Sequence, residues 1–215
     1  VVVINVVALF LALLLTSIKK FAGFFRVIFF MPNLLGGLAL GFIWQFIFEV
    51  VFSQIFFGPD GLISIDFLTN MTQGGLKSIF ALVILVAWQM VGYMMIIYVA
   101  GLNNISDDLY EAAQIDGAGA FTRFRVITLP MLMPAFTIVF FLTLANCFKL
   151  LDQNVALTNG AFGTRLLALQ ILRTPADISP PNYGQAQAQA VIFFVLVAII
   201  TLIQVNVMKK KEVEL

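Results

Sequence analysis

The chain has 215 residues, of which 61% are hydrophobic and 11% are charged, and its formal net charge is +1. A soluble domain usually carries about 25% charged residues, so this composition leaves too little polar surface for a water-facing globule and indicates an integral membrane protein. The sequence has no His and a single Cys147, which excludes histidine-based triads, His-ligated zinc or haem sites, and an internal disulfide.

Five apolar stretches are predicted to be membrane-spanning helices, because one span needs about 20 predominantly apolar residues. They cover residues 1–18, 27–48, 78–101, 129–151 and 185–208. The second contains Pro32 and the spacing Gly37-x-x-x-Gly41, which favours close approach of another helix. We therefore expect an all-α integral membrane protein in which residues 1–215 form a single transmembrane domain. Because Val1 lies inside an apolar run, we also expect a fragment of a longer chain with six or more spans.

The distribution of Lys and Arg predicts the orientation, because cytoplasmic loops carry an excess of positive charge. One side of the predicted membrane holds eight of these residues: Lys19, Lys20, Arg26, Arg123, Arg125, Lys209, Lys210 and Lys211. The other side holds four: Lys77, Lys149, Arg165 and Arg173. Loops 19–26 and 102–128 and the C-terminus are therefore expected on the cytoplasmic side, and loops 53–76 and 152–184 outside.

The 102–128 connection is the longest charged stretch and is predicted to contain a short helix. Ser106 is suited to cap its N-terminus, and Asp107 and Asp108 suit the electropositive first turn. Glu111 follows inside the helix, and Gly117 is a natural terminator or hinge. The Gly117-Ala118-Gly119 spacing could suggest a nucleotide loop, but there is no third glycine at the right spacing and no preceding strand, so a structural role is favoured. No P-loop motif occurs in the sequence either.

The sequence Glu111-Ala112-Ala113, three residues, Gly117, nine residues, Ile127, one residue, Leu129-Pro130 resembles the EAA loop of binding-protein-dependent ABC importer permeases. The resemblance implies the type I ABC importer permease fold and a coupling helix that docks on an ATPase subunit. The coupling residues that it implies are Glu111, Ala112, Ala113, Asp116, Gly117, Leu129 and Pro130. It also implies a location in a bacterial or archaeal plasma membrane. The partners that it implies are a second permease subunit, two ATP-binding-cassette ATPase subunits and an extracytoplasmic solute-binding protein, with no nucleic acid. ATP and Mg²⁺ would be bound by the ATPase subunits, and this chain would hold no cofactor or metal and would not be an enzyme.

Other segments resemble the carbohydrate-uptake branch of these permeases. They are Phe29-Phe30-Met31-Pro32-Asn33 before a Gly-rich helix with Trp44, Phe57-Gly58-Pro59-Asp60-Gly61-Leu62-Ile63, Phe148-Lys149-Leu150-Leu151-Asp152, Thr158-Asn159-Gly160, and Tyr183-Gly184-Gln185-Ala186. The family often has Gly-Gly-Pro where this chain has Gly160-Ala161-Phe162, which suggests a specialised outer loop. The function implied is transport of a sugar, oligosaccharide or glycerol-phosphate-like solute. The alternatives are an amino-acid, peptide or anion permease, a non-ABC channel, and an intramembrane enzyme.

Polar and aromatic side chains within or near the spans are candidates for the solute pathway, because buried polar groups in membranes usually face a bundle interior or a pathway. The candidates are Trp44, Gln45, Gln89, Tyr93, Asn146, Lys149 and Asp152. Asn146, Lys149 and Asp152 are spaced by three, which predicts one shared helix face. Each candidate could equally hold helices together, and Lys149 could pair with Asp152.

Overall fold

The computed structural model describes residues 1–18, 20–59, 61–177 and 179–210, so Lys19, Asp60 and Lys211 of the predicted loops and tail lie outside the described residues. Throughout this described part the secondary structure is helical, with no β-strand. The helices are α1 Val2–Ser17, α2 Ala22–Phe30, α3 Gly37–Phe46, α4 Gly75–Asn103, α5 Asp107–Ile115, α6 Ala120–Arg123, α7 Leu129–Met131, α8 Met133–Phe148, α9 Asp152–Thr158, α10 Leu167–Asp177 and α11 Tyr183–Lys209. Helix α3 continues as a π-helix over Ile47–Phe56, α6 continues as a π-helix over Phe124–Thr128, and 3₁₀ turns cover Met31–Leu34 and Asp66–Leu68.

Three described stretches are long and apolar enough to cross a membrane, namely Gly37–Phe56, Gly75–Asn103 and Tyr183–Lys209. A fourth is the bent pair Ala120–Met131 and Met133–Phe148, whose two parts meet at 64°. Helix α1 is apolar but has only 16 residues. These five helical regions occupy the places of the five predicted spans, and the prediction of an all-α membrane protein is confirmed.

The second predicted span differs from the structure. Residues 27–48 do not form one helix, because the chain leaves helical geometry at residues 35–36 and starts again at Gly37. Pro32 cannot donate a backbone hydrogen bond, and the Gly36–Gly37 pair weakens the helix further. The side-chain amide of Gln89 donates to the Leu35 carbonyl at 3.2 Å, so this carbonyl is satisfied at the break.

Two further differences concern the second half of the chain. The predicted span 129–151 ends earlier, with α8 stopping at Phe148, and its entry is bent where Pro134 lacks the N–H that a straight helix would use. The predicted outer loop 152–184 is not only loop, because it contains α9 and α10. Helix α10 buries Leu169 and Thr174, so tertiary packing stabilises a helix in a stretch that looks polar on average.

The chain divides into two compact units. The first comprises Val1–Pro32, Met90–Asn146 and the chain from Ala198 onward, and the second comprises Asn33–Gln89 and Cys147–Val197. In the first unit, the buried Tyr98 hydroxyl of α4 donates to Asn5 Oδ1 of α1 at 2.8 Å. Also in this unit, a Cβ at Gly92 of α4 would overlap the Phe29 carbonyl oxygen of α2, so the absent side chain is what lets α2 lie against α4.

In the second unit, the Gly37-x-x-x-Gly41 motif packs against α9. A Cβ at Gly37 would lie 2.8 Å from Cβ of Asp152, and one at Gly41 would overlap Cβ of Ala156. Two residues four apart on α3 therefore lie against two residues four apart on α9, and the backbones of the two helices are close together. This is the close helix contact that the small-residue pattern predicts.

Candidate functional site

Helix α5 in the 102–128 segment has the capping that its sequence predicts. Ser106 is the N-cap, and its hydroxyl accepts a hydrogen bond from the Asp108 N–H at 3.3 Å. Asp107 and Asp108 occupy the first turn, where the helix dipole favours negative charge. Nine residues is short for an independent helix, so these end contacts matter to its formation.

The C-terminal end of α5 is a Schellman turn at Gly117. The Ala118 N–H donates to the Ala113 carbonyl at 2.9 Å, and the Gly117 N–H donates to the Gln114 carbonyl at 3.1 Å. Gly117 has φ of +78°, a conformation that residues with a Cβ adopt only with strain. The predicted role of Gly117 as the terminator of this helix is confirmed.

The side chains implied in coupling lie on an open surface of the first unit. Glu111, Ala112 and Asp116 are exposed, and Ala113 is half-buried. Ile115 is 86% exposed, which is unusual for an isoleucine on a nine-residue helix. Leu129 and Pro130, the last two residues of the motif, are half-buried in α7. Small residues, two carboxylates and one apolar side chain together form a surface suited to a protein contact.

A hydrogen bond connects this surface to the segment that leads into α8. The Tyr110 and Thr128 hydroxyls lie 2.9 Å apart, with Thr128 buried at the end of the π-helix. Tyr110 was not among the residues selected from the sequence. The available signal was an aromatic residue with a hydroxyl in a short acidic helix, since a tyrosine hydroxyl usually has a hydrogen-bond partner when its ring is packed.

The seven candidate pathway residues have varied surroundings. In the second unit, Trp44 contacts the rings of Phe48 and Trp88, with centroid distances of 5.0 and 5.6 Å. Gln89 is buried and accepts from Gln153 Nε2 at 2.8 Å, so it has the helix-joining role that the sequence left open.

In the first unit, the Tyr93 ring lies edge-on to Phe30, and Asn146 Nδ2 donates to the Leu142 carbonyl of its own helix at 2.8 Å. Lys149 and Asp152 are exposed. Helix α8 ends at Phe148 and α9 begins at Asp152, so the predicted single helix face through residues 146, 149 and 152 is wrong. The described residues also show no ion pair between Lys149 and Asp152.

Gln45 differs from the other candidates because it lines a cavity of about 420 Å³ in the second unit. The same wall carries Glu49, four residues further along the helix, and the cavity is closed on another side by α9 and the turn after it. Gln45 Nε2 donates to Glu49 Oε1 at 3.3 Å. A carboxylate directly after a predicted span, spaced by four from an amide within it, was the sequence signal for this pair.

Comparisons with known proteins agree with this architecture. The family described as "Binding-protein-dependent transport system inner membrane component" matches residues 4–213. The chain is 45% identical, over its whole length and 72% of the relative, to the probable starch degradation products transport system permease protein AmyD of Thermoanaerobacterium thermosulfurigenes. It is 32% identical, over 97% of the chain and 71% of the relative, to the multiple sugar-binding transport system permease protein MsmF of Streptococcus mutans.

A solved structure is similar in fold. It is a bacterial ABC transporter involved in the import of the acidic polysaccharide alginate, with a TM-score of 0.73 and 19% identity, covering 95% of this chain and 72% of that one. At this identity the likeness establishes the fold alone. With the family match over nearly the entire sequence and apolar helices long enough to cross a bilayer, the chain is a multi-pass membrane protein and belongs to the family of binding-protein-dependent transport system inner membrane components.

Proposed function

We propose that the chain is a transmembrane permease subunit of an ABC importer and forms part of the path for a sugar or oligosaccharide. The permeases AmyD and MsmF, which it resembles in sequence, carry saccharide-related names, and starch degradation products are therefore the first solutes to test. These names favour a sugar over an amino acid, peptide or anion, and a transporter subunit over a channel or an intramembrane enzyme.

The observation that carries the proposal is helix α5, which is exposed and is capped by hydrogen bonds at both ends. Its N-cap, its Schellman turn and the Tyr110–Thr128 hydrogen bond hold it in one position, while Glu111 and Ala112 stay uncovered. Small side chains allow a partner backbone to approach closely, and the Glu111 carboxylate can pair with a basic group. Movement of a bound partner would be passed through Tyr110 and Thr128 toward α8.

The proposed assembly contains this chain, a second permease subunit, two ATP-binding-cassette ATPase subunits and an extracytoplasmic solute-binding protein. ATP and Mg²⁺ are assigned to the ATPase subunits. The Lys/Arg bias supports a cytoplasmic location for α5 and for the C-terminus, which is the side on which ATP is available. ATP binding would draw the docked helices together and change the access of the solute path from the cytoplasm to the outside.

The test is charge reversal at Glu111 in the complete transporter. Removing one partner of a desolvated charge pair at an interface costs about 2–5 kcal/mol, and reversal adds repulsion, so Glu111→Lys should reduce uptake of maltotriose at least about tenfold. The variant should still insert and fold, because the Glu111 side chain has no hydrogen-bond or ion-pair partner within the described part of the chain. Co-purification of the ATPase and ATP hydrolysis stimulated by the loaded solute-binding protein are measured in parallel.

The matched control is Asp66→Lys, since the Asp66 side chain is fully exposed and its contact with Lys77 is a surface pair. It should keep normal uptake. A second pair of variants tests the backbone geometry at Gly117 without changing the charge. Gly117→Asn tolerates a positive φ and should retain coupling, whereas Gly117→Val should lose it. Normal uptake and normal stimulated ATP hydrolysis in both Glu111→Lys and Gly117→Val would refute the coupling role of α5.

A further inference from the structure

The cavity of the second unit has the chemical composition of a site for an uncharged polyhydroxylated ligand. Its polar lining includes the carboxylate of Glu49 and the amides of Gln45, Gln73 and Asn159, and its apolar lining includes the rings of Phe42 and Phe162. Neither Lys nor Arg is among the described lining residues. Its volume of about 420 Å³ falls within the range of small-molecule sites, about 300–1,000 Å³. Phe42 and Phe162 are more than half exposed, so the cavity is open at the surface of this unit.

One oxygen of the Glu49 carboxylate accepts hydrogen bonds from within the chain, and the other is available to a ligand. Gln45 Nε2 and Thr72 Oγ1 both donate to Oε1, at 3.3 and 3.0 Å, which fixes the carboxylate in the cavity wall. Oε2 accepts no hydrogen bond from the described residues, although an ionised carboxylate is a strong acceptor. Sugar hydroxyls are donors of the kind that such an oxygen binds.

Phe162 is held over the cavity in a strained conformation. Its φ is +54°, which is an outlier for a bulky side chain, and such strain persists only when the surroundings impose it. The surroundings here are a buried polar network under the turn. The side chain of Asn154 donates to Thr158 Oγ1 at 3.2 Å and to the Thr164 carbonyl at 2.8 Å, and the Thr158 and Thr164 hydroxyls lie 2.6 Å apart. Phe162 is 52% exposed, so its side chain is not buried against this network.

The side chain of Asn159, in the same turn, is hydrogen-bonded to a residue outside the cavity lining. Its Oδ1 accepts a hydrogen bond from Nη2 of Arg173, and its Nδ2 group donates to none of the described residues, so this donor of a lining residue is available. The lining therefore combines a carboxylate acceptor, amide groups and aromatic rings. The C–H faces of a pyranose ring pack on an aromatic ring, while its hydroxyls both donate and accept.

We propose that this cavity binds one ring of a neutral sugar, with Phe162 against the face of the ring and Glu49 accepting its hydroxyl hydrogen bonds. The proposal deepens the proposed function and rests on it, because it assigns the solute class and a binding site to the same permease. Its specific content is a preference. The Glu49 carboxylate repels a ligand carboxylate or phosphate, and the described lining residues include no Lys or Arg that would offset this repulsion. Neutral saccharides are therefore bound in preference to uronates and sugar phosphates.

The experiment measures ligand binding to the full chain, assembled with its partner subunits in lipid nanodiscs without the solute-binding protein. The probes are maltotriose and its C6-carboxylated analogue, followed by saturation-transfer NMR. The wild type should bind the analogue at least about tenfold more weakly than maltotriose, which corresponds to about 1.4 kcal/mol. Glu49→Gln keeps an acceptor for Gln45 and Thr72 but removes the charge, so it should weaken maltotriose binding several-fold and reduce the discrimination toward unity.

The aromatic platform is tested with Phe162→Gly, which suits a positive φ and therefore does not threaten the turn. It should weaken maltotriose binding about tenfold or more, and Phe162→Tyr should restore it. The matched controls are Phe56→Ala, an exposed phenylalanine of the same unit outside the lining, and Asp66→Asn, an exposed carboxylate outside it. Both should bind maltotriose as the wild type does.

The outcomes separate the two proposals. If Glu49→Gln and Phe162→Gly leave maltotriose affinity and the neutral-to-anionic ratio unchanged while maltotriose uptake is normal, the cavity is not the sugar site and the permease function stands. Equal binding of both probes by the wild type would overturn the assigned preference. Absence of uptake of any tested sugar by the wild-type transporter would instead overturn the proposed function, and this inference with it.

Discussion

The hydrogen bond between Tyr98 and Asn5 provides a sharp test of how the first unit is held together. Both residues are buried, at 0% and 6% exposure, and the Tyr98 hydroxyl donates to Asn5 Oδ1 at 2.8 Å. Asn5 Nδ2 lies 3.5 Å from Thr143 Oγ1, and the Thr143 hydroxyl itself donates to the Val139 carbonyl at 2.6 Å. Three helices, α1, α4 and α8, thus meet at one polar point inside an apolar unit.

The expected cost of Tyr98→Phe follows from what the substitution leaves behind. The ring and its packing against Phe136, at 5.1 Å between centroids, are retained, and only the hydroxyl is lost. A typical net hydrogen bond contributes about 0.5–1.5 kcal/mol, and bonds between membrane helices average about 0.6 kcal/mol with a maximum near 1.7. Asn5 Oδ1 would also remain buried without its donor. We expect a loss of about 1–2 kcal/mol in the free energy of unfolding.

A double-mutant cycle distinguishes the hydrogen bond from packing. Asn5→Leu has the same branching of side-chain heavy atoms, but alone it leaves the buried Tyr98 hydroxyl without an acceptor, so it should also be destabilising. Combining it with Tyr98→Phe removes both polar partners, and replacing both partners by apolar groups is often nearly neutral. The double variant should therefore be more stable than the sum of the single variants predicts, with a coupling energy of about 1 kcal/mol.

The assay is reversible unfolding of the full chain by SDS in mixed micelles, followed by far-UV circular dichroism. Thr16→Ala serves as a control, because its hydroxyl donates only to the Leu13 carbonyl of its own helix. Additive single variants, or a Tyr98→Phe protein within about 0.3 kcal/mol of the wild type, would show that this polar contact does not join the helices.

Two further predictions concern close packing and topology. Gly92→Ala should destabilise the chain by about 1–3 kcal/mol in the same assay, because its Cβ would overlap the backbone oxygen of Phe29, whereas Gly23→Ala, with nothing near its Cβ, should not. In a Cys147→Ser background, an impermeant maleimide applied to intact cells should label a cysteine at the exposed position Ala161. It should label a cysteine at Asp116 only after the cells are permeabilised. Labelling of position 116 in intact cells would reverse the proposed orientation.

Much of the coupling segment was predictable because its determinants are local. Ser106, the two following acids and Gly117 act on the nearest turn of backbone, and the structure has the N-cap and the Schellman turn where these residues predict them. The roles of Glu111 and its neighbours toward a partner remain a proposal. Tyr110 was missed because its partner Thr128 lies 18 residues further along the chain, and no periodic pattern in the sequence predicts that contact.

The cavity was predictable only in fragments. Gln45 was selected as a polar group in a span, but its neighbour Asn159 comes from a turn more than a hundred residues later, and they share a cavity only because α9 packs on α3. The specialised sequence Gly160-Ala161-Phe162 pointed to this turn without showing what it faces. The predicted face through Asn146, Lys149 and Asp152 failed for the same reason, since spacing implies a shared face only while the helix continues.

The sequence by itself determined that this is an all-helical membrane protein with apolar spans and a capped helix in its charged loop, because hydropathy, capping and glycine geometry act over one or two turns of chain. The tertiary structure decided where the helices break, which glycines lie at backbone contacts, and which polar groups meet. Tyr98 with Asn5, Gln89 with Gln153, and Glu49 with Thr72 are each separated by tens of residues. Each pair forms because a buried polar group in an apolar interior must find a partner, and only packing determines which partner is within reach.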